Sequence, residues 1–122
     1  MKFANKAEYA AELIAMGYDG RFPAILNEEE KQILGMDNNQ IQCGYRCPLS
    51  GKKCVAGILI QDDEYQVSFE GMALTWIAIN IPDWISFQEA EELQRNHDMI
   101  AARNQQFGDS WKEKVNSILG FV

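Results

Sequence analysis

The sequence predicts an α+β domain that is mostly helical, with four or five helices and a small β-hairpin around its cysteines. Three observations carry this. Apolar residues recur at helical spacing in several stretches, each with a capping residue before it and most with a glycine after it. Cys43, Cys47 and Cys54 lie in one short segment whose centre, Pro48-Leu49-Ser50-Gly51, is turn chemistry. The 122 residues are read as one domain, 1–122, which buries about two-thirds of its unfolded surface without staples.

The first helix is expected from Asn5 to Met16. Asn5 caps it, Glu8 stands at the capping-box position, and Gly17 is the stop. Ala7, Ala10, Ala11 and Ile14 form its apolar stripe, widened by Leu13 and Phe3. A short helix follows over Glu28 to Leu34, with Asn27 as cap, three acids in the first turn and Gly35 at the end. Met36-Asp37-Asn38-Asn39 is a turn. Gln40 to Cys47 reads as a strand, Pro48 to Lys52 as a turn, and Lys53 onward as a second strand or a helix start. Cys54-Val55-Ala56-Gly57-Ile58-Leu59-Ile60 is nearly all apolar and must be buried. Gly71 to Ile81 fits either a strand or a helix, and its length favours a helix. The long helix starts at Phe87 and runs to Phe107, with Ser86 and Glu89 as its capping box. Ala90, Leu93, His97, Ile100, Ala101 and Phe107 share its apolar arc. A last helix spans Trp111 to Leu119, capped by Ser110, with Trp111, Val115, Ile118 and Leu119 on one side.

Composition excludes several classes. The formal charge of −7 repels phosphate, which argues against binding to nucleic acid or to an anionic membrane. The acids are interspersed with 11 basic residues, too mixed for mimicry of DNA charge. The N-terminus is charged throughout and lacks the apolar core of a signal peptide. Gly71 to Pro82, the most apolar stretch, is too short to span a bilayer. An odd number of cysteines fits a reducing cytoplasm.

The chemistry-bearing residues are few. Cys43, Cys47, Cys54 and His97 are candidate zinc ligands, because structural zinc takes four thiolate or imidazole groups. Their spacing is looser than a pair of close Cys-Cys motifs, and the alternative is a packed core. A thiol nucleophile is a further reading: Cys47 follows Arg46, Cys54 follows Lys52-Lys53, and His97 would be the base. His97-Asp98 does not make a metal phosphohydrolase site, because the chain has one histidine. Its position mid-stripe places His97 in the core and calls for a polar partner there. Ser50-Gly51-Lys52-Lys53 lacks the glycine spacing and the hydroxyl of a phosphate loop. Trp76, Trp84 and Trp111 lack the basic groove of a base-stacking platform. Trp84, in the loop after Pro82-Asp83, is a candidate contact for another protein, with Tyr65, Asp62 and Asp63.

The run Gly51-Lys52-Lys53-Cys54-Val55-Ala56-Gly57-Ile58-Leu59-Ile60-Gln61-Asp62-Asp63-Glu64-Tyr65, then Glu70-Gly71, Leu93-Gln94-Arg95-Asn96-His97-Asp98 and Trp111, resembles a family of small uncharacterised proteins of phages, prophages and bacteria. The resemblance covers about half the chain, from Gly51 onward. It implies that Cys54, Tyr65 and the His97-Asp98 pair form one packed unit and that Cys47 is extra, which weakens a zinc set. It implies no catalytic residue. The resulting expectation is a small, acidic, non-enzymatic accessory protein, without a cofactor, that binds and inhibits a protein of the bacterial host in its cytoplasm. A zinc-stabilised module and a small-ligand or thiol-dependent protein are the alternatives. The sequence leaves the oligomeric state open.

Overall fold

A computed structural model describes residues 3–22, 28–35, 45–47, 49–60, 63–70, 81–103 and 106–121. The fold is mostly helical: α1 (Lys6–Asp19), α2 (Glu28–Leu34), a single 3-10 turn (Val67–Phe69), α3 (Phe87–Ala102) and α4 (Gly108–Leu119). No described helix is long and apolar enough to cross a membrane. The expected turn at 36–39, the first strand up to residue 44, Asn27 and the 71–80 segment lie outside the described residues.

α1 begins as expected, with the Asn5 side chain accepting the Glu8 N–H at 2.9 Å. It does not stop at Gly17. The helix continues to Asp19 and is closed by Gly20, whose φ of 67° supplies the left-handed turn that a helix end needs. Its buried face also differs from the alanine stripe: Tyr9, Ala10, Leu13 and Met16 point inward, while Ala7 and Ala11 are exposed. Large side chains bury more apolar area than alanines, so they set the rotation of the helix. Tyr9 is further fixed by donating its hydroxyl to the Val55 carbonyl at 2.8 Å.

α3 has the expected capping box, with Ser86 and Glu89 satisfying each other's backbone N–H groups. Lys6 reaches from α1 to Glu89 at 2.9 Å. α3 ends at Ala102 rather than Phe107. Phe107 instead stands immediately before α4, which starts at Gly108, so Ser110 lies inside the helix and is not its cap. α4 packs on both α1 and α3. Trp111, Val115 and Leu119 form its buried stripe, with Ile118 half-buried. The Trp111 indole N–H donates to the Leu13 carbonyl at 2.8 Å, locking α4 to α1.

The expected β-hairpin is not found. Among the described residues there is no strand, only one antiparallel bridge between Arg46 and Lys53. The Cys47 N–H donates to Lys52 O and the Gly51 N–H to Cys47 O, both at 2.9 Å, so the loop closes tightly. After Cys54 the chain leaves extended geometry. Ile58 N–H donates to Cys54 O at 3.1 Å and Ile60 N–H to Ala56 O at 3.2 Å, which curls the apolar run into successive turns. The run is buried as expected: Cys54, Val55 and Ala56 are wholly inaccessible. Gly57 permits this path, since a Cβ there would stand 2.0 Å from the Tyr45 carbonyl oxygen. Side chains from α1, this loop, α3 and α4 share one core.

Candidate functional site

The structure joins Cys54 to the His97-Asp98 pair through Gln94, which sequence reasoning did not single out. The Cys54 thiol donates to Gln94 Oε1 at 3.2 Å, and the Ala56 N–H donates to the same oxygen at 2.8 Å. Gln94 Nε2 donates to Asp98 Oδ1 at 2.7 Å. His97 Nδ1 lies 2.9 Å from that same Asp98 oxygen. A polar chain therefore runs from the cysteine loop to the middle of α3. Gln94 and His97 are three apart, so both face inward from one side of the helix. Asp98 sits at the edge of that side, half-exposed.

Burial pushes the Cys54 thiol well above its ordinary range, more than offsetting the backbone hydrogen bond from Gly57. Cys54 is thus held as a neutral thiol, the reverse of an activated nucleophile. His97 is wholly inaccessible, and its ring lies among Phe22, Phe107 and Trp111 at centroid distances of 4.9, 5.4 and 6.5 Å. Its Nε2 is buried and has no hydrogen-bond partner among the described residues.

A second polar cluster braces the other arm of the loop. Glu70, itself buried, accepts the backbone N–H groups of Tyr45 and Arg46 at 2.8 and 3.0 Å, and also the Tyr65 hydroxyl. The Arg46 guanidinium stands 4.5 Å over the Tyr65 ring and donates to the Ile60 carbonyl at 2.9 Å. Burial, then the bond to Glu70, raises the Tyr65 phenol above its usual range.

Comparison with known proteins finds no matching family model, curated protein or solved structure.

The residues predicted as a site fall in three places. Cys54 and His97 belong to the Gln94–Asp98 chain. Cys47 is buried at the loop closure itself, its backbone hydrogen-bonded to Lys52 and Gly51. Cys43 lies outside the described residues. Among the described residues no group of three His, Cys, Asp or Glu side chains is placed to hold a metal ion. Trp84 is half-buried and packs its ring on Tyr9 at 5.6 Å. Tyr65 is half-buried against Phe69 and Arg46, Asp63 is exposed, and Asp62 lies outside the described residues. Sequence reasoning missed the roles of Gln94 as the link to Cys54 and of Glu70 as the acceptor that braces the loop. The available signal was the core position of His97, which demands a polar neighbour on its own helix face.

Proposed function

We propose that the protein acts by binding another protein, as a small non-enzymatic accessory protein of the phage or prophage kind, and that it blocks or redirects a bacterial host protein in the cytoplasm. The observation that carries this reading is the use of Cys54 and His97 inside the core. The Cys54 thiol is kept neutral and is bonded to Gln94, which ties the loop to α3, and His97 is buried with its Nδ1 engaged by Asp98 on the same helix. What the protein offers to solvent is an acidic exterior, with a net charge of −7, and separate exposed apolar side chains such as Leu49 at the braced loop tip. Charge complementarity then favours a basic partner surface. The resemblance to phage and prophage proteins supports the same reading.

The test is a pull-down from bacterial lysate with the intact protein as bait, repeated with Leu49→Asp and with Asp63→Lys. Both sites are exposed, so neither change should unfold the protein. The reading expects one protein retained in stoichiometric amount, weakened by salt and by either variant. Retention of nothing above a scrambled-surface control contradicts it. The reading assigns no cofactor; a zinc-held module would instead carry about one zinc per chain in elemental analysis of the untagged protein.

A further inference from the structure

Hydrogen-bond directions around His97 follow from which groups can donate. The Asp98 carboxylate only accepts, so His97 Nδ1, 2.9 Å from Oδ1, must carry the proton. The neighbouring Gln94 amide is oriented independently, because its oxygen receives the Ala56 N–H and its nitrogen donates to the same Asp98 atom. In its neutral form the imidazole is therefore the Nδ1–H tautomer, and Nε2 presents a lone pair. An imidazole whose other nitrogen is bound to a carboxylate is the arrangement that makes a strong, oriented acceptor. Here that acceptor is buried, has no hydrogen-bond partner among the described residues, and lies beside Phe22, Phe107 and Trp111.

One wall of this nest is shared with solvent. Phe107 is half-buried, stacks at 37° on His97, and also lines a cleft of about 600 Å³ between the end of α1 and the start of α4. Gly17, Tyr18, Gly20, Gln106, Gly108 and Asp109 line the rest of it, with the Tyr18 hydroxyl donating to Asp109. Phe107 precedes Gly108, which has a φ of 40°, and lies in the connection between two helices rather than inside either.

We propose that this cleft is the entrance to a binding site for a small, flat, neutral molecule bearing one O–H or N–H donor, of the phenol or indole class. Such a molecule takes the place of the Phe107 ring against the nest and donates to His97 Nε2. Flatness follows from the aromatic walls, which favour offset or edge-to-face contact with another ring. The donor follows from the unused lone pair. Neutrality follows from burial: the described neighbours of the ring face are Phe22, Phe107 and Trp111, among which a charge would be costly. The site stands apart from the protein-binding reading and does not depend on it.

The chain has one histidine, so protein labelled with ¹⁵N-histidine gives one pair of ring resonances. Phenol and toluene are the probes, matched in shape and differing in the donor. The unliganded protein is expected to show Nδ1 as protonated and Nε2 as bare. Phenol should shift the Nε2 resonance saturably and bind about tenfold more tightly than toluene, the worth of one added hydrogen bond. Phe107→Ala should strengthen binding of both while keeping the preference for phenol. His97→Phe should erase that preference; if this variant does not fold, the two probes on the unaltered protein decide alone. A protonated Nε2 in the unliganded protein at neutral pH, equal affinity for the two probes, or no response to phenol overturns the proposal.

Discussion

At Gln94 a single amide serves three partners: Cys54 and Ala56 on its oxygen and Asp98 on its nitrogen. Truncation to alanine leaves the buried Ala56 N–H without an acceptor, so Gln94→Ala should cost about 2 kcal/mol or more in urea denaturation, against near-zero for the exposed Gln88→Ala. The core placement of His97 and its need for a polar partner were legible from its helical phase. Asp98 fills that need from the next position, but the role of Gln94 in tying the pair to Cys54 was not legible, because a glutamine in a helix reads as surface until a neighbouring loop is known to cover it. Cys54 supplies a pH test. Burial raises its thiol above the value of the unfolded chain, about 8.5. For a group raised in the fold, the stabilisation is complete below the unfolded value and is lost as pH rises toward the folded one. Tyr9, Tyr45 and Tyr65 are raised in the same sense, chiefly by burial, and extend the loss above about 10. The urea midpoint should therefore fall steadily above about pH 8.5. Cys54→Ala should flatten the first part of that fall; an unchanged slope would remove Cys54 from the explanation.

Among the elements, helix starts with a side-chain cap were the best read. Ser86 and Glu89 form the expected box, and Ser86→Ala should cost about 1 kcal/mol in chemical denaturation. Stops were read less well. Gly17 has the right identity for a stop but lies inside α1, where it serves a different need: a Cβ there would meet Trp111 Cδ1 at 2.5 Å. Two effects compete in Gly17→Ala. Alanine gains up to about 1 kcal/mol in helix propensity, but the clash costs about 1–3 kcal/mol. The clash should win, because Trp111 is wholly buried and tethered to Leu13, so its ring has nowhere to retreat. A lowered Tm for Gly17→Ala, with α-helical circular dichroism intact, is the expected result. The hairpin expectation failed for a related reason. Turn residues at 48–51 do close a loop, but the apolar run after Cys54 curls under tertiary packing, with Gly57 against the Tyr45 carbonyl, instead of pairing as a strand. Sequence periodicity does not separate a buried strand from a buried series of turns.

For the whole molecule, the helical class and the burial of 54–60 were legible because apolar phase and burial are local properties. The joining of elements was not, since it rests on single long-range bonds: Tyr9 to Val55, Trp111 to Leu13, Cys54 to Gln94. These bonds give Cys54 structural work in the core, and the proposed protein contact is accordingly assigned to the exterior. The measurement that tests this most directly is alkylation of the native protein by iodoacetamide, with the Cys54 peptide followed by mass spectrometry. Reaction at Cys54 should be slowed on the order of a thousandfold or more relative to the urea-unfolded chain, because it must await unfolding. Cys54 that reacts in the native protein as fast as in the unfolded chain would contradict its role as a core anchor and return it to the list of reactive thiols.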